Sequence, residues 1–139
     1  MSHLRGIAYV STAQRRLNTA ELEALLAGAR RLNLDSGVTG VLLYSDGNFM
    51  QYFEGNADAM QVTWDRIRGS RGHSGIIELL DETVAERNFG DWQMGFAQPT
   101  RSVLLSMSTA AWERSAAQPT QGTASGLGVL KTFWRNAQR

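Results

Sequence analysis

Three uncharged polar side chains stand where the hydrophobic pattern of this sequence calls for apolar ones: Tyr9, Asn33 and Gln51. A break of that kind on a buried face marks either a functional site or an error of assignment. Each of the three combines hydrogen-bond donors with acceptors, and none carries the desolvation cost of a charge, so together they can bind a polar group inside an apolar surrounding. Gln51 is the sharpest case. Period two along residues 48–54 puts Phe49, Gln51 and Phe53 on one face, and an unpaired amide between two aromatics would cost about 1–3 kcal/mol. Each residue also has a plainer reading. Tyr9 alone is a core or interface aromatic, Asn33 a helix C-cap ahead of Gly37, and Gln51 an amide bonded to backbone or water. Trp92, Met94 and Phe96 are by spacing a core stripe, and His73 is a loop histidine.

The elements that must position these residues follow from periodicity. Residues 4–11, with Ile7, Tyr9 and Val10, predict a strand. Asn18 with Glu21 three residues on is a helix cap, followed by Leu22, Leu25, Leu26 and Ala29 at helical spacing and by Asn33 on the same stripe. Residues 38–44 read as a buried strand, Asp46-Gly47 as a two-residue hairpin turn, and 48–54 as the antiparallel partner. A second helix opens at Asn56 or Asp58, carries Met60, Trp64 and Ile67 on one face, and ends in the stretch 69–75. Two more strands are predicted at 76–84 and 91–97. The order β-α-β-β-α-β-β is that of an α+β, ferredoxin-like sheet with both helices on one face. Residues 102–114 and 127–138 are candidate helices for the other face or for a partner's sheet. The main domain is expected over 4–98, with a helical cap or tail over 99–139 containing a flexible linker at 116–128.

Composition excludes several kinds of chemistry. The 139 residues contain no cysteine and only two histidines, which removes thiolate nucleophiles, disulfides and cysteine-ligated metal, and argues against a histidine metal centre. A formal net charge of +1 supplies no field for a phosphate backbone, so nucleic acid is not an expected partner. No apolar run approaches the ~20 residues that span a bilayer, and the N-terminal residues lack a signal core, so a cytoplasmic protein without a membrane partner is expected.

The residues singled out, with their neighbours, resemble the BLUF family of blue-light photoreceptors in order and in spacing. Ile7-Ala8-Tyr9-Val10-Ser11 is similar to the family's first strand with its photoactive tyrosine. Asn33, four residues before the run Gly37-Val38-Thr39-Gly40, resembles its flavin-holding asparagine, and Phe49-Met50-Gln51 with Phe53-Glu54-Gly55 resembles the strand of its switch glutamine. His73 stands where the motif between helix two and the next strand ends, and the run from Arg87 through Trp92 and Met94 to Phe96 matches the last block. The resemblance covers 4–96. The sequence departs from the family at the end of helix two, with Ser70 in place of an Asp and Gly72 in place of an Arg; Arg71 lies beside the expected place and Arg66 one turn earlier. Position 32, often polar in the family, is Leu32.

The resemblance implies a non-covalently bound flavin, FAD or alternatively FMN, lying between the two helices. Asn33 would pair with the ring's N3/O4 edge, and Gln51 would bridge N5 or O4 to the Tyr9 hydroxyl. Leu25, Phe49 and Ile67 would sandwich the ring, and Arg66, Ser70, Arg71 and His73 would complete the cofactor-binding set. The implied mechanism is transfer of an electron and a proton from Tyr9 to the excited flavin with Gln51 as relay, after which the amide returns rotated or tautomerised. Glutamine suits the relay because one end donates and the other accepts. The signal would pass through the last strand, where Trp92 and Met94 compete for the place near Gln51. With no fused effector domain, the chain is expected to act as a short stand-alone receptor rather than an enzyme, read by a separate protein effector or by a change in its own homo-oligomer. Two rivals belong to other classes. An acylphosphatase-type ferredoxin-like enzyme would need a phosphate-cradling loop at 11–18, which contains no glycine. A flavin-free interaction module would have no use for Tyr9, Asn33 and Gln51 together.

Overall fold

The computed structural model describes residues 3–70, 73–90, 92, 94–108 and 126–137. The elements are β1 (Leu4–Ala13), α1 (Thr19–Ser36), β2 (Thr39–Ser45), β3 (Asn48–Asn56), α2 (Ala57–Arg68), β4 (His73–Val84), β5 (Gly95–Ala97), α3 (Arg101–Ser108) and α4 (Gly126–Ala137). They build one mixed sheet in the order β4-β1-β3-β2-β5, antiparallel except where β5 runs parallel to β2. Local chemistry sets the boundaries. Asn18 and Glu21 form the reciprocal capping box that starts α1, Gly37 ends it in the left-handed conformation, and the Asn56 side chain caps α2 by accepting from the Asp58 amide. The β2–β3 turn holds positive φ at both central positions, 51° at Asp46 and 88° at Gly47, the backbone that a two-residue hairpin of this hand requires.

Alternation of side chains divides the core. Ile7, Tyr9, Leu42, Phe49, Gln51 and Phe53 face α1 and α2, whereas Ala8, Val41, Leu43, Met50 and Tyr52 face α3 and α4, which contribute Leu104, Met107, Leu130 and Trp134. Every residue of β2 is buried because both faces are covered. The C-terminal candidate helices therefore cover this chain's own sheet. They are α3 and α4, and Gly126 to Gly128, expected within a linker, belong to α4. The rest of that linker, and residues 109–114 of the first candidate helix, lie outside the described residues.

Three further expectations are corrected. Strand β1 runs on to Ala13, whose amide donates to the Gly47 carbonyl and which pairs with His73. His73 is accordingly a strand residue, and β4 begins there rather than at 76, with Gly75 at φ 62° beside a register shift. The last strand is short because the segment before it is held elsewhere: the Gly40 amide takes the Trp92 carbonyl at 2.8 Å, and the Trp92 amide donates to Phe89. That capture splits the stripe expected at Trp92, Met94 and Phe96. Met94 and Phe96 pack with the α1 side, while Trp92, 37% exposed, leans edge-on against Trp134.

A buried carboxylate holds the turn ahead of β5. Glu54 is fully buried on the α3/α4 face, where it accepts from the amides of Asn88 (2.9 Å) and Phe89 (2.6 Å) and from the Tyr52 hydroxyl (2.9 Å). From α4, Lys131 donates to the Asn88 side chain at 3.3 Å. The indole of Trp134 then fills the space over Gly95, where a Cβ would lie 2.4 Å from the ring. Gly95→Ala is therefore expected to lower the unfolding free energy by about 1–3 kcal/mol, as overpacking of a rigid neighbour does. Denaturant unfolding checks this, and an unchanged midpoint would show that Trp134 does not depend on that space.

Candidate functional site

Tyr9 and Gln51 are register partners across the β1–β3 ladder, so their side chains rise side by side on the same face of the sheet. The Tyr9 hydroxyl donates to Gln51 Oε1. The other end of the amide, Nε2, donates to Met94 Sδ at 3.5 Å, a weak acceptor. The pair forms the floor of a cleft of about 360 Å³ between α1 and α2, within the usual range for small-molecule sites.

Two helical stripes make the walls. Leu25, Gly28, Ala29, Leu32 and Asn33 recur at i, i+3, i+4, i+7 and i+8 on α1, while Thr63, Arg66, Ile67 and Ser70 recur at i, i+3, i+4 and i+7 along α2 and its end. Ala24, Leu42, Phe49, His73 and Met94 complete the lining. Leu25 and Leu32 are 42% and 44% exposed, apolar rims that a bound molecule would cover.

The polar groups inside differ in how far they are already committed. His73 Nε2 donates to the Ile67 carbonyl at 2.9 Å and Nδ1 meets Ser11 Oγ at 2.7 Å, so this ring serves as a wall, edge-on to Tyr9 and Phe49. Thr63 Oγ1 is buried without a hydrogen-bond partner. A hydroxyl left this way in a ligand-sized cleft can share one hydrogen bond with a bound molecule. The buried Tyr9 ring packs against Phe53, Trp64 and His73, and burial alone pushes its phenol well above the ordinary tyrosine value. It is a neutral donor at any physiological pH. Among the described residues no group of three His, Cys, Asp or Glu could hold a metal ion, and no helix is long and apolar enough to cross a membrane.

The cleft's donors and acceptors match the edge of an isoalloxazine, which offers acceptors at N5, O4 and O2 and a donor at N3. The chain matches the family model "BLUF: Sensors of blue-light using FAD" over residues 4–95. The chain belongs to the BLUF family. It is 32% identical over 94 residues to the photoactivated adenylate cyclase subunit beta of Euglena longa, covering 67% of this chain and 11% of that protein. It is 33% identical over 70 residues to the blue light- and temperature-regulated antirepressor BluF of Escherichia coli, covering 50% of this chain and 17% of that one. The chain thus spans between a tenth and a fifth of these relatives. Among solved structures, the dark state of the BLUF protein BlrB superposes with a TM-score of 0.67 at 28% identity, covering 78% of this chain and 80% of that one. The Klebsiella pneumoniae BlrP1 structure with FMN and cyclic diGMP superposes with a TM-score of 0.63 at 28% identity, covering 68% and 26%.

Of the residues expected at a BLUF flavin site, Tyr9, Leu25, Asn33, Phe49, Gln51, Arg66, Ile67, Ser70, His73 and Met94 all line this one cleft. Trp92 does not, since it lies against Trp134, and Arg71 lies outside the described residues. Asn33 also serves α1, because its backbone carbonyl receives the Gly37 and Val38 amides. Thr63 escaped the sequence reading, although its spacing to Ile67 and Ser70 was a signal that could have found it. Gly28 and Ala29 carry no chemical signal; they shape the slot by being small.

The phenols of this BLUF domain give alkaline pH a defined effect. Burial raises Tyr9, and burial with the Glu54 charge raises Tyr52, so both keep their protons in the folded chain above the pH near 10 at which an unfolded tyrosine loses its own. Above that pH the unfolded chain binds fewer protons, and stability falls by up to about 1.4 kcal/mol per pH unit for each phenol. Below it their contribution is fully present. Urea unfolding between about pH 9 and 11 should show this decline, and Tyr9→Phe should remove roughly half of its slope. A slope unaffected by Tyr9→Phe would mean that the phenol is not shielded as described.

Proposed function

We propose that the chain is a flavin-binding blue-light switch in which Tyr9 and Gln51 are the photoactive pair and FAD is the pigment, seated between α1 and α2. The observation that carries the reading is the Tyr9–Gln51 hydrogen bond on the floor of a ligand-sized cleft that also holds the buried, unpartnered Thr63 hydroxyl. When bound, the flavin supplies the absorption of blue light and, once excited, a one-electron oxidant with a basic ring nitrogen.

The chain's own residues do the rest. Tyr9 is neutral, so loss of an electron makes its hydroxyl strongly acidic and the proton leaves along its hydrogen bond to Gln51 Oε1. The amide can take that proton at Oε1 and release one from Nε2, with a bound flavin as the acceptor of both that proton and the electron. On return Tyr9 recovers both electron and proton, and the net chemical change is nil, which suits a switch and not an enzyme. What differs afterwards is the amide, rotated or tautomerised, so that the hydrogen bond it offers the ring has changed. Asn33, on the α1 wall, would hold the polar edge of the ring. Leu25, Phe49 and Ile67 clamp the ring. Arg66 and Ser70, exposed at the rim, would meet the phosphate-bearing tail of the flavin.

Output runs through Met94, which meets Gln51 at the end of the amide away from Tyr9, into β5 and the α3/α4 layer behind it. A separate protein effector or a second copy of this chain reads the change there.

The purified protein is expected to be yellow, with a flavin spectrum that shifts to the red under blue light and relaxes in the dark. Tyr9→Phe and Gln51→Leu should each retain the pigment and abolish the shift; a normal photocycle in either variant overturns the assigned pair. Asn33→Ala should raise the flavin Kd about tenfold, the worth of a lost hydrogen bond in a buried site. Titration of flavin-free protein by fluorescence checks it, and an unchanged Kd removes Asn33 from the binding set.

A further inference from the structure

One side chain joins the wall of the cleft to the segment that enters β5. Arg30 lies on α1 three residues before Asn33 and one residue past Ala29, and its Nε donates to the Met94 carbonyl at 2.9 Å. Two residues earlier the Trp92 carbonyl is held by the Gly40 amide of β2, and one residue later the β2–β5 ladder begins at Gly95. The backbone of Met94 is thereby fixed from α1 at the point where its side chain, 2% exposed, turns its sulfur to Gln51.

We propose that Arg30 is a positioning residue for the switch: it holds Met94 against Gln51, so that α1, which lines the cleft, also sets the segment leading into β5. This rests on the reading of Tyr9 and Gln51 as the photoactive pair. The direction of the effect follows from the amide. As it stands, an N–H of Gln51 faces the thioether; turned over, the amide would set its oxygen against the sulfur, two acceptors face to face. A firmly held Met94 thus favours the present arrangement, and a loosened one lets the turned form persist.

The test compares Arg30→Met, which keeps the apolar stem but loses every donor, with Arg30→Lys, which restores a charged donor. In flavin-free protein, methionine-methyl NMR should show the Met94 resonance moved or broadened by Arg30→Met, while Met60 and Met107, in separate parts of the core, stay in place. In flavin-loaded protein the return to the dark state should be slower by about threefold or more in Arg30→Met, and near the wild-type rate in Arg30→Lys. An unmoved Met94 resonance overturns the hold on Met94. A moved resonance with an unchanged or faster return overturns the link to the switch. Absence of any light-induced shift in the wild-type protein instead overturns the photoreceptor reading, and the methyl resonance still decides whether Arg30 positions Met94.

Discussion

The site depends on one register. Tyr9 opposes Gln51 across β1 and β3, and since side chains alternate with a period of two, a slip of one residue would send the amide to the α3/α4 face and leave the phenol alone. The fold protects this pairing. β1 and β3 both lie inside the sheet, between β4 and β2, and the register shifts of β1, between Ala8 and Tyr9 and between Val10 and Thr12, fall on its β4 side. The β1–β3 ladder runs unbroken from Leu4 to Thr12, so the irregular edge is kept away from the bond that matters.

The two faces of β3 use polar groups in opposite ways. Glu54 is fully buried, and it is tolerated because two backbone amides and a hydroxyl converge on it. Such an anchor is rigid: removing any partner exposes an uncompensated group. Gln51, three residues earlier and facing the other way, is neutral and has one strong partner and one weak one. Glu54 holds the amides of Asn88 and Phe89, while Gln51 meets Met94, the residue before β5.

Much of this arrangement was legible in local sequence. The capping box at Asn18 and Glu21, the Asp46-Gly47 hairpin and the alternation that put Phe49, Gln51 and Phe53 on one face are decided within a few residues of themselves. What was not legible depends on partners far along the chain. Trp92 and Met94 could not be ranked from spacing, because the choice rests on the Gly40 amide and on Trp134, which lies beyond a long polar stretch. His73 read as a loop residue because the irregularity at Gly75 hides its pairing with Ala13. Thr63 was passed over because a threonine on a helix draws no notice until its hydroxyl is seen to lack a partner.

Small residues explain why a slot exists between α1 and α2 at all. Gly28 and Ala29 face the cleft where larger side chains would project into it and fill it, and between Leu25 and Leu32 they leave it open. Those two leucines remain substantially exposed, so this face of the domain is apolar surface still to be removed from water. A planar, largely apolar ring with one polar edge satisfies both demands: it covers the leucines and meets the hydroxyls and amides that point into the gap. Filling the slot in this way fixes α1 by the same stripe that bears Asn33. Arg30 projects from that helix to the Met94 carbonyl, so the wall of the cleft and the residue that leads into β5 are tied through one element.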